Sequence, residues 1–289
     1  MMDWLLFIAI AVLIYGCFIE PRWFILTKLD VKVDKYLPKP LKILHLSDMH
    51  FHPRNTHINK LFKKLHGLTD VDLILLTGDI IDNDNGIVLA AEQIKHLKPR
   101  LGTIAIFGNH DHYWYGKTEL LNFVFRDRFY PRFENNAPLL KTSLEAIGCR
   151  VLQNESCTIS FEGTDIFIAG LDDPVTRKDE PGKIPKPQDP KQLKILLTHL
   201  LDAFHKMRDY EFDLVFSGHT HGGQIRIPFF GALMTHSRLE RKYAAGLHQM
   251  GTAQVFTSRG IGTSPVVPTR FFCNPEAILF TVIGKEQRV

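Results

Sequence analysis

The chain has 289 residues, of which 45% are hydrophobic and 23% are charged, a balance that excludes an intrinsically disordered protein. Its length allows one large domain or two small ones. The net charge of +4 is small for this size, and no basic stripe alternates with aromatic residues, so nothing indicates nucleic-acid binding. The four cysteines show no framework spacing, which predicts free thiols and favours a reducing compartment.

The N-terminus contains an apolar segment, Trp4–Ile19, without a charged residue. As a helix it is somewhat shorter than the hydrocarbon core of a bilayer, which is roughly 30 Å thick. Neither a basic leader nor a small-residue cleavage site is present, so we expect residues 1–26 to be an uncleaved membrane anchor. The flanking cations all follow the segment and predict a cytoplasmic main domain; they are Arg22, Lys28, Lys32 and Lys35.

Residues 27–40 end in a proline-containing stretch and are predicted to be a stiff linker to a domain that spans 41–289. This domain starts with an apolar run, Ile43–Leu46, that is followed by Asp48 and His50. On an extended segment, residues two positions apart project to the same side, so a carboxylate and an imidazole could reach one point. That pair of donors suits a divalent first-row metal ion.

Four further strand-like runs are followed by side chains that can bind metal ions. The runs are Leu73–Thr77, Thr103–Phe107, Ile195–Thr198 and Leu214–Ser217. The side chains after them are Asp79, Asp82, Asn109, His110, Asp111, His199, His219 and His221. Because ligands gather beyond the carboxyl ends of strands in α/β sheets, we expect all these strand ends to converge on one site.

Helical spacing of apolar residues occurs between the first strands, in Ile58–Leu65 and in Ile87–Leu97. Alternating strands and amphipathic helices predict a parallel half-sheet with right-handed crossovers. Beyond the third strand, helices are predicted at Lys117–Arg128 and around Leu140–Ile147, followed by short, partly antiparallel strands. The stretch 174–190 is rich in proline and charge, which predicts a surface loop.

The motifs themselves resemble those of the calcineurin-like metallophosphoesterase family. They are Asp48-x-His50, Gly78-Asp79-x-x-Asp82, Gly108-Asn109-His110-Asp111, His199 and Gly218-His219-x-His221. All of them occur in the family's order between Asp48 and Gln224. The resemblance implies an α/β protein with the family's four-layer αββα sandwich, here preceded by an N-terminal membrane helix.

The resemblance also implies a centre of two divalent metal ions. Donors that are all nitrogen or oxygen favour Mn, Fe, Zn or Co, of which we expect manganese. Asp79 would bridge the two ions, one completed by Asp48, His50 and His221, the other by Asn109, His199 and His219. His110 stands outside this ligand set and would be the general acid that donates a proton to the leaving oxygen.

Residues beside the motifs are assigned less specific roles. Asp82 and Asp111 would either orient imidazoles or cap turns. His45 lies within a strand pattern and is expected to pack in the core. Candidate substrate contacts are Gln224, Arg226, Arg259 and the two flanking histidines, His52 and His112.

Three functions are compatible with such a site. A metal-dependent phosphohydrolase is favoured, because the complete ligand set and His110 argue against a non-catalytic binding protein. The small net charge and the anchor argue against a nuclease, so no nucleic-acid partner is expected.

Residues Glu20–Trp23, Gly218–Pro228 and Ser258–Thr263 resemble a membrane-associated bacterial branch of the family. That branch includes UDP-2,3-diacylglucosamine pyrophosphatases of lipid A synthesis and phosphodiesterases of unassigned substrate. The resemblance implies a phosphorylated small-molecule or lipid-linked substrate and a place in the bacterial inner membrane. Hydrolysis of UDP-2,3-diacylglucosamine to 2,3-diacylglucosamine 1-phosphate and UMP is the favoured reaction, and a general phosphodiesterase is the alternative.

Overall fold

Two six-stranded sheets form the centre of the protein, which a computed structural model describes for residues 2–116, 133–264 and 267–285. The first sheet contains, from edge to edge, β1 (Ile25–Tyr36), β16 (Glu276–Lys285), β2 (Leu41–Leu46), β3 (Leu73–Thr77), β4 (Gly102–Ile106) and β7 (Cys149–Val151). The second contains β14 (Gly246–Met250), β15 (Ala253–Thr257), β11 (Leu214–Ser217), β10 (Leu193–Leu197), β9 (Thr164–Gly170) and β8 (Glu155–Phe161). Strand numbers follow the chain.

Short hairpins and helices surround the sheets. Two-residue strands pair as β5 (Tyr113–Trp114) with β6 (Phe133–Glu134) and as β12 (Arg226–Ile227) with β13 (Gly231–Ala232). The α-helices are α1 (Met2–Ile14), α2 (His57–Leu65), α3 (Ile87–Ile94), α4 (Asn109–His112) and α5 (Ala137–Glu145). The helix predicted at Lys117–Arg128 lies outside the described residues.

The predicted parallel half-sheet is confirmed, because β2, β3, β4 and β7 pair in parallel. Helices α2 and α3 connect its first three strands, and each buries the apolar face that its spacing predicts. Strands β8 and β9 pair antiparallel, as expected for that region. The stretch 174–190 contains one 3₁₀ turn, Pro181–Lys183, and otherwise has no regular structure.

Alternate side chains of the strands fill three separate cores, which gives the four layers expected of an αββα sandwich. Ile43 and Ile195 point between the sheets. Leu44 points to the other side of the first sheet, against α2, α3 and α5. Leu196 faces an outer layer on the second sheet that is a 3₁₀ segment, Leu201–Tyr210, where the fold name leads one to expect an α-helix.

Residues 27–40, predicted to be a linker, instead contain most of β1, so that prediction is wrong. β1 pairs in parallel with β16, with Val31 opposite Val282. Val31 and Val33 are buried, whereas the alternating charged residues Asp30, Lys32 and Asp34 face solvent. The many charges gave this edge strand the composition of a linker, and its partner lies about 250 residues away in the sequence.

The N-terminal segment is helical from Met2 to Arg22, with a π-helical turn at Tyr15–Ile19 and a 3₁₀ turn at Glu20–Arg22. Its portion Trp4–Arg22, 19 residues, is long and apolar enough to cross a membrane by length and composition. Unlike the exposed residues before it, Glu20 is fully buried against the domain. The helix therefore runs directly into the fold without a flexible spacer.

Candidate metal centre

The loops that follow β2, β3, β10 and β11 meet at one edge of the two sheets. Backbone hydrogen bonds hold the first two together, from Asp48 N to Gly78 O at 3.0 Å and from His50 N to Asp79 O at 2.9 Å. In the second sheet, Gly218 N donates to His199 O at 3.0 Å. The parallel pairing of each strand pair thus continues into the loops, which brings the predicted side chains together.

Several of these loop residues have a left-handed backbone, which few residues with side chains adopt. The φ angles are 50° at Asp48, 46° at His50, 49° at Asp79, 68° at His219 and 48° at His221. The reasoning that Asp48 and His50 meet because their segment is extended is therefore wrong. They meet because the chain turns at each of them, and such outliers concentrate at functional sites.

One group of metal-competent atoms comes from Asp48, His50, Asp79 and His221, all within 4.8 Å of one another. His50 Nε2 lies 3.1 Å from His221 Nε2. Two imidazole nitrogens this close, next to two carboxylates, form a donor set that a divalent ion would satisfy.

A second group is formed by Asp79, His199 and His219. His219 Nδ1 lies 3.3 Å from His199 Nε2. Asp79 belongs to both groups, with Oδ2 at 3.6 Å from His50 Nε2 and Oδ1 at 3.3 Å from His199 Nε2. Each of its oxygens thus faces a different cluster, the arrangement that a bridging carboxylate requires.

Asn109 provides a test of whether this second group fits a metal ion. Its side-chain Oδ1 is buried and has no hydrogen-bond partner among the described residues. An unsatisfied buried acceptor costs about 1–3 kcal/mol, and a cation bound beside His199 and His219 would remove that cost. The donor set therefore fits a divalent ion.

The carboxylates of the site shift the pKa of His199, and this shift affects metal binding. Burial alone would lower the pKa of His199, but the Asp79 and Asp48 carboxylates raise it to about 10. Burial raises the pKa of Asp48 to about 6, against the opposing effect of His199. His199 consequently carries a proton that metal binding must displace, so affinity for the ion falls as pH falls.

His110 lies at the edge of both groups. Its backbone N–H donates to Asp79 Oδ1 at 2.8 Å, and its Nδ1 lies 3.5 Å from Asp82 Oδ1. Burial lowers its pKa, but Asp79 and Asp82 outweigh burial and the pKa is raised above 6.5. Its side chain retains 13% exposure. The neighbouring carboxylates thus favour the protonated form of an imidazole beside the ligand cluster, which is what a general acid requires.

The two carboxylates with alternative roles differ in the structure. Asp82 Oδ1 lies 3.8 Å from His50 Nδ1 and 3.5 Å from His110 Nδ1, so this carboxylate faces both rings. Asp111 instead accepts hydrogen bonds from Ile81 N at 3.0 Å and Gly108 N at 2.9 Å. Its contacts are those of a residue that fixes a turn.

Two glycines of the motifs allow the loops to approach this closely. A Cβ atom at Gly218 would overlap Ser47 Oγ and Asp48 Oδ2, and one at Gly108 would overlap Asp79 Oδ1. His219 N also donates to Asp48 Oδ1 at 2.9 Å across this contact. The glycines are therefore required by space around the two carboxylates.

The side chains predicted to contact substrate mostly form hydrogen bonds or ion pairs within the protein. Gln224 Nε2 donates to Val267 O at 3.1 Å, Arg226 Nη1 donates to Gly222 O at 2.8 Å, and Arg259 lies 3.9 Å from Glu276. His112 Nε2 is 2.7 Å from Asp172 Oδ1, and His52 Nδ1 accepts from Arg54 N at 3.1 Å. These contacts support the loops of the site.

Sequence reasoning missed Arg270, which is fully buried. Its Nη2 lies 3.3 Å from His221 Nδ1 and donates to Gly262 O at 2.7 Å. Cys273 Sγ donates to His221 O at 3.1 Å. Neither residue belongs to a motif, and no spacing pattern points to them, because their role depends on a chain segment that returns to the site from the end of the sequence.

An open cleft of about 1330 Å³ begins at His219. Its walls come from the stretches 174–179, 200–208 and 236–239. Of the described residues that line it, the cationic ones are Arg177, Lys206, Arg208 and Arg238, whereas Arg226 and Arg259 are not among them. Asp179 and Asp202 also line the cleft, and Lys206 is paired with Asp179 at 2.5 Å. The cleft is large enough for an organic substrate and carries both cationic and acidic side chains.

Comparison with known proteins gives consistent matches. The calcineurin-like phosphoesterase family model matches residues 41–223. The uncharacterized metallophosphoesterase YkuE of Bacillus subtilis is 34% identical over 216 residues, covering 73% of this chain and 68% of the relative. The phosphodiesterase YaeI of Escherichia coli is 28% identical over 280 residues, covering 93% and 92%. The UDP-2,3-diacylglucosamine pyrophosphatase LpxG of Chlamydia muridarum is 28% identical over 307 residues, covering 91% and 90%.

Proposed function

Since the chain belongs to the calcineurin-like phosphoesterase family, and is therefore a hydrolase of a family that binds divalent metal ions, we propose that it cleaves the pyrophosphate of UDP-2,3-diacylglucosamine. One water is consumed, one bridging P–O bond breaks, and 2,3-diacylglucosamine 1-phosphate and UMP leave. The assignment as a phosphohydrolase is supported most strongly by the position of Asp79 between two groups of imidazoles, with His110 beside it.

Two divalent ions, manganese by preference, would be held by the predicted ligands, namely Asp48, His50, Asp79, Asn109, His199, His219 and His221. When bound, such ions supply neutralisation of phosphate charge and activation of the attacking water. Asp79 keeps the two donor groups at a fixed separation. His110 holds a proton on its ring with Nδ1 facing Asp82, so Nε2 is left to protonate the leaving oxygen.

The nature of the substrate is supported by three features. The relative named as a UDP-2,3-diacylglucosamine pyrophosphatase aligns along 91% of this chain. The cleft beside His219 has cationic side chains that could bind the second phosphate or the nucleotide. The N-terminal helix would keep the enzyme in the bilayer that holds the acyl chains, which confines both partners to a thin layer.

We place the protein in the bacterial inner membrane as a single-pass protein with a cytoplasmic catalytic domain. The cations that flank the helix all follow it, which favours retention of that side in the cytoplasm. Because β1 begins at Ile25, the catalytic domain starts there and residues 2–22 form the anchor. Nucleotide-sugar substrates are cytoplasmic compounds, which is consistent with this orientation.

A general phosphodiesterase is the second candidate, favoured by the relative named phosphodiesterase that aligns along 93% of the chain. A non-catalytic binding protein on the same fold is disfavoured by the complete donor set and by the buried, unsatisfied Asn109 Oδ1. The two enzyme candidates share the site and differ in the substrate.

The test uses the full-length protein in nanodiscs with Mn²⁺, given either UDP-2,3-diacylglucosamine in the bilayer or a soluble chromogenic diester. Mass spectrometry should detect the lipid monophosphate and UMP in equal amounts, and the Asp79→Asn variant should form neither. Rapid cleavage of the diester without turnover of the nucleotide-sugar lipid would exclude the lipid substrate and leave the general phosphodiesterase.

A further inference from the structure

A short hairpin next to the metal centre exposes large apolar side chains. Strands β12 and β13 are joined by a turn at Pro228–Phe230, in which Phe229 is fully exposed. Six apolar side chains of this hairpin and its flanks face solvent, namely Ile225, Ile227, Phe229, Phe230, Leu233 and Met234. Contiguous apolar surface of this kind is uncommon on soluble monomers and indicates a binding surface.

The hairpin is joined by backbone hydrogen bonds to a segment near the end of the chain. Arg226 N donates to Phe271 O at 2.9 Å, and Phe271 N donates to Gln224 O at 2.9 Å. Phe272, in the same segment, is itself 54% exposed. The apolar surface therefore continues from the hairpin onto residues 271–272.

The same segment is bound to the end of the N-terminal helix. Arg270 N donates to Gly16 O at 2.9 Å, and the buried carboxylate of Glu20 accepts from Phe272 N at 2.9 Å and from Cys273 N. The helix end and the hairpin are thus two sides of one structural unit. A membrane that contains the helix must lie next to the hairpin.

The end of the helix has the composition of a membrane interface. Phe18, Ile19 and Trp23 are exposed, and the guanidinium of Arg22 donates to Phe18 O at 2.7 Å. Trp beside Arg at the end of an apolar helix is typical of the headgroup level. The end of the helix, which is held against residues 270–273, therefore lies at the headgroup level.

Cations accompany the apolar tip of the hairpin. The Arg241 guanidinium carbon lies 4.9 Å from the centroid of the Phe230 ring, and Lys242 follows it in the chain. Aromatic side chains with cations behind them match a bilayer interface, where rings enter the acyl boundary and cations meet anionic phosphates. Lys242 is paired with Glu240 at 3.0 Å, so the pattern rests mainly on Arg241 behind the Phe230 ring. Such an arrangement favours lipid over a protein partner.

We propose that the hairpin, Ile225–Met234 together with Phe272, docks into the phospholipid bilayer beside the N-terminal helix. The turn His221–Gly223 directly precedes the hairpin, so docking places the metal centre close to the headgroups. The inference rests on the proposed membrane placement of the helix, but not on any particular substrate. With the hairpin docked, the catalytic domain would contact the membrane at two places, the N-terminal helix and the hairpin, instead of at the helix alone.

The test uses spin labels on the full-length chain, with Cys17→Ser as background because the other native cysteines are buried. Labels are attached through Phe229→Cys and Leu233→Cys, both on exposed hairpin residues. Leu6→Cys, on the exposed face of the helix, reports on the anchor. Thr69→Cys is the aqueous control, because it is exposed and precedes β3 at the edge of the sheet opposite the site.

Accessibility to oxygen and to a water-soluble nickel chelate is measured in nanodiscs of phosphatidylethanolamine and phosphatidylglycerol, one chain per disc. We expect labels at positions 6, 229 and 233 to show at least about fivefold less exposure to nickel than the label at position 69. Protection at position 6 without protection at 229 and 233 would overturn hairpin docking and leave the anchor intact. No protection at position 6 would overturn the membrane placement as well.

Protection of the hairpin that appears only when two chains share a disc would assign this surface to a second copy and overturn the proposal. Since the readout needs no turnover, failure of the proposed substrate leaves its interpretation unchanged.

Discussion

Asp79 and His199 share a contact that organises the centre: Asp79 Oδ1 lies 3.3 Å from His199 Nε2, while Oδ2 faces the opposite donor group. Both side chains are almost completely buried. Because the two residues come from different sheets, the contact also joins the two halves of the sandwich at the site. Loss of Asp79 should therefore affect both groups of ligands.

Asp79→Asn should abolish binding of both metal ions and lower kcat/KM by at least about a thousandfold, since metal charge stabilisation is worth several kcal/mol. His221→Ala, which affects one group only, should retain more metal. Elemental analysis and steady-state kinetics check this. Activity that survives thorough chelation would contradict the account for both variants.

His110→Ala should keep its metal content and lose roughly two to four orders of magnitude in rate, the range for a lost general acid. The loss should be smaller for diesters with good leaving groups, because these need less protonation. Kinetics on a leaving-group series, together with metal analysis, distinguish the roles. If metal content falls in proportion to rate, His110 is a ligand.

Gly218→Ala should weaken metal binding, because its Cβ would overlap Ser47 and Asp48. Overpacking at such a site costs about 1–3 kcal/mol of stability. Gly182→Ala is the matched control, since nothing lies within 4 Å of a Cβ at that position. Titration calorimetry and thermal unfolding measure the two effects, and equal behaviour of both variants would refute the steric argument.

Arg270→Lys should destabilise the protein by about 2–3 kcal/mol, because lysine cannot reproduce the planar fork of donors. Arg270 donates to Gly260 O, Gly262 O and Cys273 O while fully buried. Arg208→Lys, at an exposed position, is the control. Urea unfolding measures the difference, and a loss below about 0.5 kcal/mol would show that these bonds are not needed.

His45 should make stability depend on pH. It is fully buried against Phe216, Phe256 and Phe280, and burial lowers its pKa to about 3. In the unfolded chain it binds a proton at about pH 6.5. Because the unfolded chain binds this proton more readily, His45 should not make the free energy of unfolding depend on pH above pH 6.5. Between pH 6.5 and pH 3 the free energy of unfolding should fall as pH falls, by about 1.4 kcal/mol per pH unit at most.

The variant His45→Gln should remove the contribution of His45 to this slope, since glutamine can bond Thr77 but does not titrate in this range. Urea unfolding of the metal-free protein at pH 5 and pH 7.5 measures it, with the exposed His96→Gln as control. An unchanged difference between the two pH values would mean that His45 is not the titrating group.

The metal-competent residues could be identified from the sequence because each follows a buried strand, and parallel strands place their ends at one edge. The way in which Asp48 and His50 meet could not, since it depends on left-handed backbone at both residues. Arg270 could not be found either, because its contact with His221 joins segments 49 residues apart without a motif. The local spacing of apolar residues predicts which side of a helix or strand is buried. The contact of Arg270 with His221 depends instead on how loops that are distant in sequence meet.

The prediction of a linker at residues 27–40, where β1 lies, was wrong for a related reason. Strand β1 exposes one face, so charged residues alternate with its apolar ones, and an edge strand of this kind has few signals that separate it from a linker. Only its pairing with β16 shows that it belongs to the sheet.

The pairing of β1 with β16 affects how the protein folds during its synthesis. β1 precedes the other strands of the first sheet in the chain and its neighbour β16 follows them, so the sheet cannot close until Glu276–Lys285 has been translated. Until then β1, whose neighbour in the sheet is β16, has open hydrogen-bonding edges. Such edges recruit wrong partners. We therefore expect assembly of the first sheet to be slow, and truncation before Glu276 to leave β1 and β2 without the strand that joins them.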